Sequence, residues 1–139
     1  MKRFHAWPFG LFASVLCVGC GSSGDQPTFP ELSPVHGLVK RGGQPVSGGM
    51  IQFSPEPNTP EFLINSPVGG DGTYSLSTVR TTDRGGERKS GAPAGSYKIR
   101  YTPPTNTKDV AALAPVEMME MVSIKPGDNE LTIELPAKR

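Results

Sequence analysis

Residues 96 to 102, Ser96-Tyr97-Lys98-Ile99-Arg100-Tyr101-Thr102, decide the fold: Tyr97, Ile99 and Tyr101 alternate with the cations Lys98 and Arg100. Successive side chains of an extended chain point to opposite faces, so this period of two marks a strand with one buried and one wet face. The same period recurs on both sides of it. Val35, Gly37 and Val39 alternate with His36, Leu38 and Lys40, and Ile51 and Phe53 alternate with Met50, Gln52 and Ser54. Tyr74 and Leu76 alternate with Thr73, Ser75 and Ser77, and Leu131, Ile133 and Leu135 with Glu130, Thr132 and Glu134. Less regular runs, Phe62 to Asn65 and Met119 to Lys125, bring the expected strands to seven.

The joints agree with strands. Gly42-Gly43, Gly69 to Gly72 and Pro126-Gly127-Asp128-Asn129 supply turn residues, and glycine meets the positive φ of tight hairpins without steric cost. Pro55, Pro57 and Pro60 cannot donate to a ladder and close the second strand. The 17 glycines and 15 prolines of the 139-residue chain, spread between short apolar runs, fit an all-β domain, and the architecture expected is a β-sandwich. One short helix is expected, Lys108 to Ala114, with Thr107 as N-cap and Pro115 as its stop. Residues 80 to 95 read as a polar connection and residues 103 to 118 as a second one, with Met118, Met119 and Met121 beside it at the rim of the core.

The first 34 residues have a different composition. Lys2, Arg3 and His5 precede a run without formal charge, residues 6 to 19, and small polar residues follow. The run falls short of the roughly 20 residues a membrane-spanning helix needs, and the order of parts is that of an export signal. Residues 20 to 34 mix Gly, Ser and Pro and read as a solvated tether, about 40 Å long if largely extended. The organisation expected is therefore a leader, residues 1–19, a tether, residues 20–34, and one folded domain, residues 35–136.

A net charge of +1 without a clustered basic face gives no reason to expect nucleic acid. Without the leader, one histidine remains, His36, and one cysteine, Cys20. That removes the usual zinc sites of three or four His and Cys ligands. A Ser-His-Asp arrangement lacks the G-x-S-x-G elbow, and His36 falls on the outer face of its strand. Asp71 and Asp128 each stand alone in a glycine turn, fewer than the acids a calcium site gathers. A Lys40–Asn129 isopeptide bond would need Lys40 buried, whereas parity points it outward. The aromatics beyond the leader, Phe29, Phe53, Phe62, Tyr74, Tyr97 and Tyr101, fall on core or tether positions and offer no sugar-stacking platform. No catalytic residue, cofactor or metal is expected.

Two resemblances add to this. Cys17-Val18-Gly19-Cys20 resembles the lipobox of bacterial lipoproteins, departing from it in Cys17, where leucine is usual. The resemblance implies cleavage before Cys20 and a diacylglyceryl group on its sulfur. The membrane is then a partner through this anchor, and Gly21 in the next position points to the outer membrane by the sorting habit of some Gram-negative bacteria. Ordinary secretion, with Cys20 discarded or a free thiol, is the alternative. Second, Val35 to Val39, Gly43 to Phe53, Gly70 to Leu76, Gly91 to Ile99 and Lys125 to Leu131 are similar, in order, to the carboxypeptidase regulatory-like domains, sandwiches of the transthyretin-like type. The departures are Gly49 in place of the commoner alanine and the long stretch after Arg80. The resemblance implies a seven-stranded Greek-key sandwich with a primed Asp71-Gly72 turn. The function expected is non-catalytic: structural, adhesive or binding work at the cell envelope, with an envelope protein or polysaccharide as partner. The alternatives are a peptide- or carbohydrate-binding module and a small exported hydrolase. Hydroxyisourate hydrolases share the transthyretin fold, but the histidines and the terminal Tyr-Arg-Gly-Ser that carry their activity are missing here.

Overall fold

The computed structural model describes residues 25–106 and 108–138. Among them the chain is all-β, in two sheets that form a sandwich. The smaller sheet is built on β1 (Val35–Arg41), which pairs antiparallel with β2 (Gln44–Pro45) and β5 (Thr73–Ser75), and parallel with β11 (Asn129–Glu130) and β12 (Ile133–Leu135). His36 faces both Ser75 and Glu130, and Lys40 faces both Pro45 and Glu134, so β1 is the middle of a sheet only three columns wide. The larger sheet runs β10 (Val122–Ile124), β8 (Gly95–Thr102), β3 (Met50–Pro55), β4 (Phe62–Pro67), β6 (Ser77–Arg80), β7 (Arg88–Ser90), and β9 (Val116–Glu117) also pairs with β8.

The alternating positions are where the core forms. Val35, Val39, Ile51, Phe53, Tyr74, Leu76, Tyr97, Ile99, Tyr101, Ile133 and Leu135 are all buried, as their period of two requires. Neighbouring strands bring Thr78, Ile64, Phe53 and Ile99 into one row across the inner face of the larger sheet. Leu131 is the exception, only partly buried, because the ladder between β11 and β12 opens there. Its carbonyl turns inward to accept the Tyr74 hydroxyl at 2.8 Å. A Cβ on Gly37 would sit 1.9 Å from that same oxygen, so only glycine fits opposite it.

Several expectations change. The expected strand from Thr73 to Ser77 is broken at the buried Leu76, where the chain leaves the smaller sheet as β5 and enters the larger as β6. Alternation is uninterrupted through that crossing, so the pattern alone cannot reveal it. Residues 80 to 95 contain the exposed edge strand β7. The expected helix is one 3-10 turn, Val110–Leu113, capped by Asp109 and with no buried residue to hold a longer one; Thr107 lies outside the described residues. Gly42 and Gly43 both take positive φ, as a primed hairpin needs. At Asp71-Gly72 only the glycine does. The Asp71 carboxylate accepts from the Thr73 amide at 3.1 Å and its hydroxyl at 2.6 Å, a local arrangement that keeps Asp71 at negative φ. Met118 packs at the core rim, but Met119 and Met121 are exposed.

The largest departure is in residues 26 to 33 of the expected tether; its first residues, 20–24, lie outside the described residues. Ser33 and Ala92 exchange backbone hydrogen bonds of 2.8 and 3.0 Å. Phe29 lies 5.4 Å from the Phe62 ring, with Arg80 and Lys89 each 4.6 Å from its centroid. Phe62 pairs with Arg80, and Lys89 with Thr78 in the row of Ile64 and Phe53, so these three residues belong to the inner face. A three-column sheet cannot cover a six-strand one, and residues 28 to 33 lie over the part left bare.

Candidate functional site

The two ends of the sandwich differ in their chemistry. The far end gathers the β1–β2 turn, the loop after β8 and the chain's last residues. Two adjoining clefts of about 340 and 390 Å³ open there, both lined by Arg41, Pro103, Ala112 and Lys138. Parallel pairing of β1 with β12 sets the end of each strand side by side, Arg41 opposite Leu135, which is why cations so distant in sequence share a wall. Arg41 donates from Nε to the Pro136 carbonyl at 3.2 Å, fixing its guanidinium at the cleft. Beneath it the Tyr101 hydroxyl donates to the Gly48 carbonyl at 2.8 Å. Burial raises its pKa, and the Arg41 charge acts the other way. The neutral hydroxyl is thus a brace, and the other polar residues lining the clefts are Arg41, Lys138, Gln44 and Ser47, with Asp109, the cap of the 3-10 turn, in the second.

The near end carries a cleft of about 380 Å³ lined largely by rings: Pro30, Pro55, Pro57, Phe62, Pro93 and Tyr97. Tyr97 donates its hydroxyl to the Pro93 carbonyl at 2.5 Å, and burial pushes its pKa up to about 12. Beside this cleft the β6–β7 hairpin folds on its own charges, with Arg80 3.1 Å from Glu87 and 4.0 Å from Asp83. An open groove of about 900 Å³ between β4 and β5 is lined by Asn65, Ser66, Thr73, Ser75, Ser77 and Arg88. Arg88 donates to the Asn65 side-chain oxygen at 3.3 Å across it.

Of the residues singled out from sequence, Cys20 and the leader, residues 1–19, lie outside the described residues. His36 stands on the outer face with its Nε2 3.1 Å from an Asp128 carboxylate oxygen. Both side chains are exposed, at 46% and 70%, so the pair braces β1 against the turn before β11 at the surface. Asn129 is buried and its amide donates to the carbonyls of Lys125 and Gly127 at 2.7 and 2.8 Å, closing that turn. No three His, Cys, Asp or Glu residues gather as metal ligands among the described residues. The Arg41–Lys138 juxtaposition had no signal in the sequence, since it depends on which strands pair. Phe29 had one: a lone aromatic between prolines in an otherwise polar stretch. No family model matches this chain, and no curated protein or solved structure is detectably similar to it.

Proposed function

We propose that the chain is an exported protein whose mature end is Cys20, bearing a diacylglyceryl group, and whose sandwich works at the cell envelope by contact and not by catalysis. The fold in this reading is the transthyretin-like, carboxypeptidase regulatory-like one. Joining β5 to β6 and β11 to β12, and setting aside the short edge pieces β2, β7 and β9, leaves seven principal strands, which supports it. The contact surface is the far end, and the partner is an envelope protein or polysaccharide with anionic groups for Arg41 and Lys138.

The observation that carries the contact reading is how the polar groups near the core are engaged. The hydroxyls of Tyr74, Tyr97 and Tyr101 each donate to a backbone carbonyl, and His36 meets Asp128 on an open strand face. A buried tyrosine hydroxyl that donates to a backbone carbonyl is held neutral and in one direction, the opposite of what proton transfer asks of it.

Intact mass of the membrane-extracted protein tests the anchor: a chain beginning at Cys20 plus a diacylglyceryl group is expected, and a chain processed elsewhere without lipid overturns it. Retention of a Cys20→Ser mature chain on washed envelope fractions tests the surface. Charge reversal at Arg41 together with Lys138 is expected to weaken it about tenfold, a loss near 1.4 kcal/mol. Unchanged retention takes the far end out of the proposal.

A further inference from the structure

The sandwich is joined to its leader by a segment that is itself bound down. Between Gln26 and Ser33 the chain is held at three places: the Thr82 hydroxyl donates to the Gln26 side-chain oxygen at 2.9 Å, Phe29 lies among Phe62, Arg80 and Lys89, and Ser33 pairs with Ala92. A Cβ on Gly91 would come within 2.7 Å of the Ser33 carbonyl oxygen, so the segment lies directly on the body of the fold.

We propose that residues 26 to 33 are a strap that fixes which end of the sandwich meets the bilayer, pressing the β6–β7 end toward the lipid and presenting the Arg41–Lys138 end away from it. This rests on Cys20 being the lipid anchor. Five residues separate Cys20 from Gln26, and a fully extended chain gains at most about 3.5 Å per residue, so over those six steps the reach is at most about 20 Å. Were the chain loose up to Val35, the reach would be about 50 Å on the same rise, enough for the domain to tumble. β8 runs from Gly95, at the strapped end, to Thr102, beside the far clefts. Its eight residues put the two ends about 23 Å apart at roughly 3.3 Å per residue. A reach no longer than the body it holds leaves one end down.

Charge is not what holds it there. The strapped end carries Arg80, Arg84, Arg88, Lys89 and Lys98 against Asp25, Glu31, Glu56, Glu61, Asp83 and Glu87, which leaves it close to neutral, and Glu87 itself lies within 3.1 Å of Arg80 and 3.8 Å of Lys89. A balanced surface gains little from anionic lipid, so the orientation is set by the strap and persists in salt.

The test uses the acylated full chain in vesicles containing a headgroup spin label, with a fluorophore on a single introduced cysteine. Arg84→Cys marks the strapped end, and Gln44→Cys, in the exposed strand β2, marks the far end. Quenching at position 84 several-fold stronger than at 44, unchanged by added salt, is the expected result. Two further variants remove the difference while leaving the protein on the membrane. Phe29→Ala combined with Gly91→Ala, with its circular dichroism retained, frees the strap, and eight Gly/Ser residues inserted before Asp25 lengthen the link with the strap intact. Equal quenching at 84 and 44 in protein whose Cys20 is acylated overturns the orientation alone. Protein that stays off the vesicles with Cys20 unmodified overturns the anchor reading and this inference with it.

Discussion

Strand β8 and the strap at residues 26 to 33 both lie against the larger sheet, one hydrogen-bonded within it and one laid over its inner face. β8 buries Tyr97, Ile99 and Tyr101 in regular alternation and pairs with three other strands. The strap has no repeat. It places one half-buried aromatic, Phe29, between two cations and makes a single isolated bridge, Ser33 to Ala92. Regular pairing needs a period because every residue must satisfy both a ladder and a face. Covering an overhang needs only a ring at the right place and a glycine, Gly91, that lets the backbone approach. The first kind of structure is written along the chain, and the second is written in the mismatch between two sheet widths.

That difference can be broken from either side. Phe53→Ala empties the centre of the row that β8 supports and is expected to cost about 3–5 kcal/mol in denaturant unfolding. Gly91→Ala strikes the strap instead. It puts a side chain at φ +100 and against the Ser33 carbonyl, and is expected to cost about 2–3 kcal/mol in the same assay, most of it as backbone strain. Tyr74→Phe leaves the inward Leu131 carbonyl without its donor, a loss of about 1–2 kcal/mol if no water replaces the hydroxyl. Phe29→Ala removes a half-buried ring and its cation contacts for about 1 kcal/mol, with the sandwich core intact. If Phe29→Ala instead matches Phe53→Ala in cost, the strap is core and the distinction drawn above is too sharp.

The smallest effect near neutrality is that of pH, and it grows only in base. Burial raises the Tyr97 pKa from 10.0 to about 12, and raises that of Tyr74 as well. A hydroxyl whose pKa is higher folded than unfolded lends stability that is complete below pH 10 and drains away as pH climbs toward 12. Tyrosinate absorbance followed with far-ultraviolet circular dichroism is expected to show those phenols ionising only as the sandwich unfolds. Free titration at pH 10 in folded protein would place them at the surface.

How much of this the sequence carries depends on which kind of contact is asked about. The buried sets of β1, β3, β8 and β12 could be named from alternation because period and burial are the same fact there. The break at Leu76 could not, since a strand that changes sheets keeps its period while its partners change. The turn at Asp71 was legible as a turn, but its type depended on a carboxylate reaching Thr73, a contact set by side-chain geometry. Arg41 and Lys138 meet only because β1 and β12 run parallel, and no local pattern states that. The strap was hidden by composition: Gly, Ser and Pro signal solvated chain on average, and one phenylalanine reverses the sign locally.

Hydrogen exchange at the Ser33 amide, which donates to the Ala92 carbonyl at 2.8 Å, reports most directly on whether the strap belongs to the sandwich. In the Cys20→Ser mature chain this amide should be protected by at least about a hundredfold over an unstructured chain, roughly 2.7 kcal/mol of local stability. Exchange at the unstructured rate, with the Tyr101 amide in β8 still protected, would mean that residues 26 to 33 swing free and that the larger sheet is left uncovered.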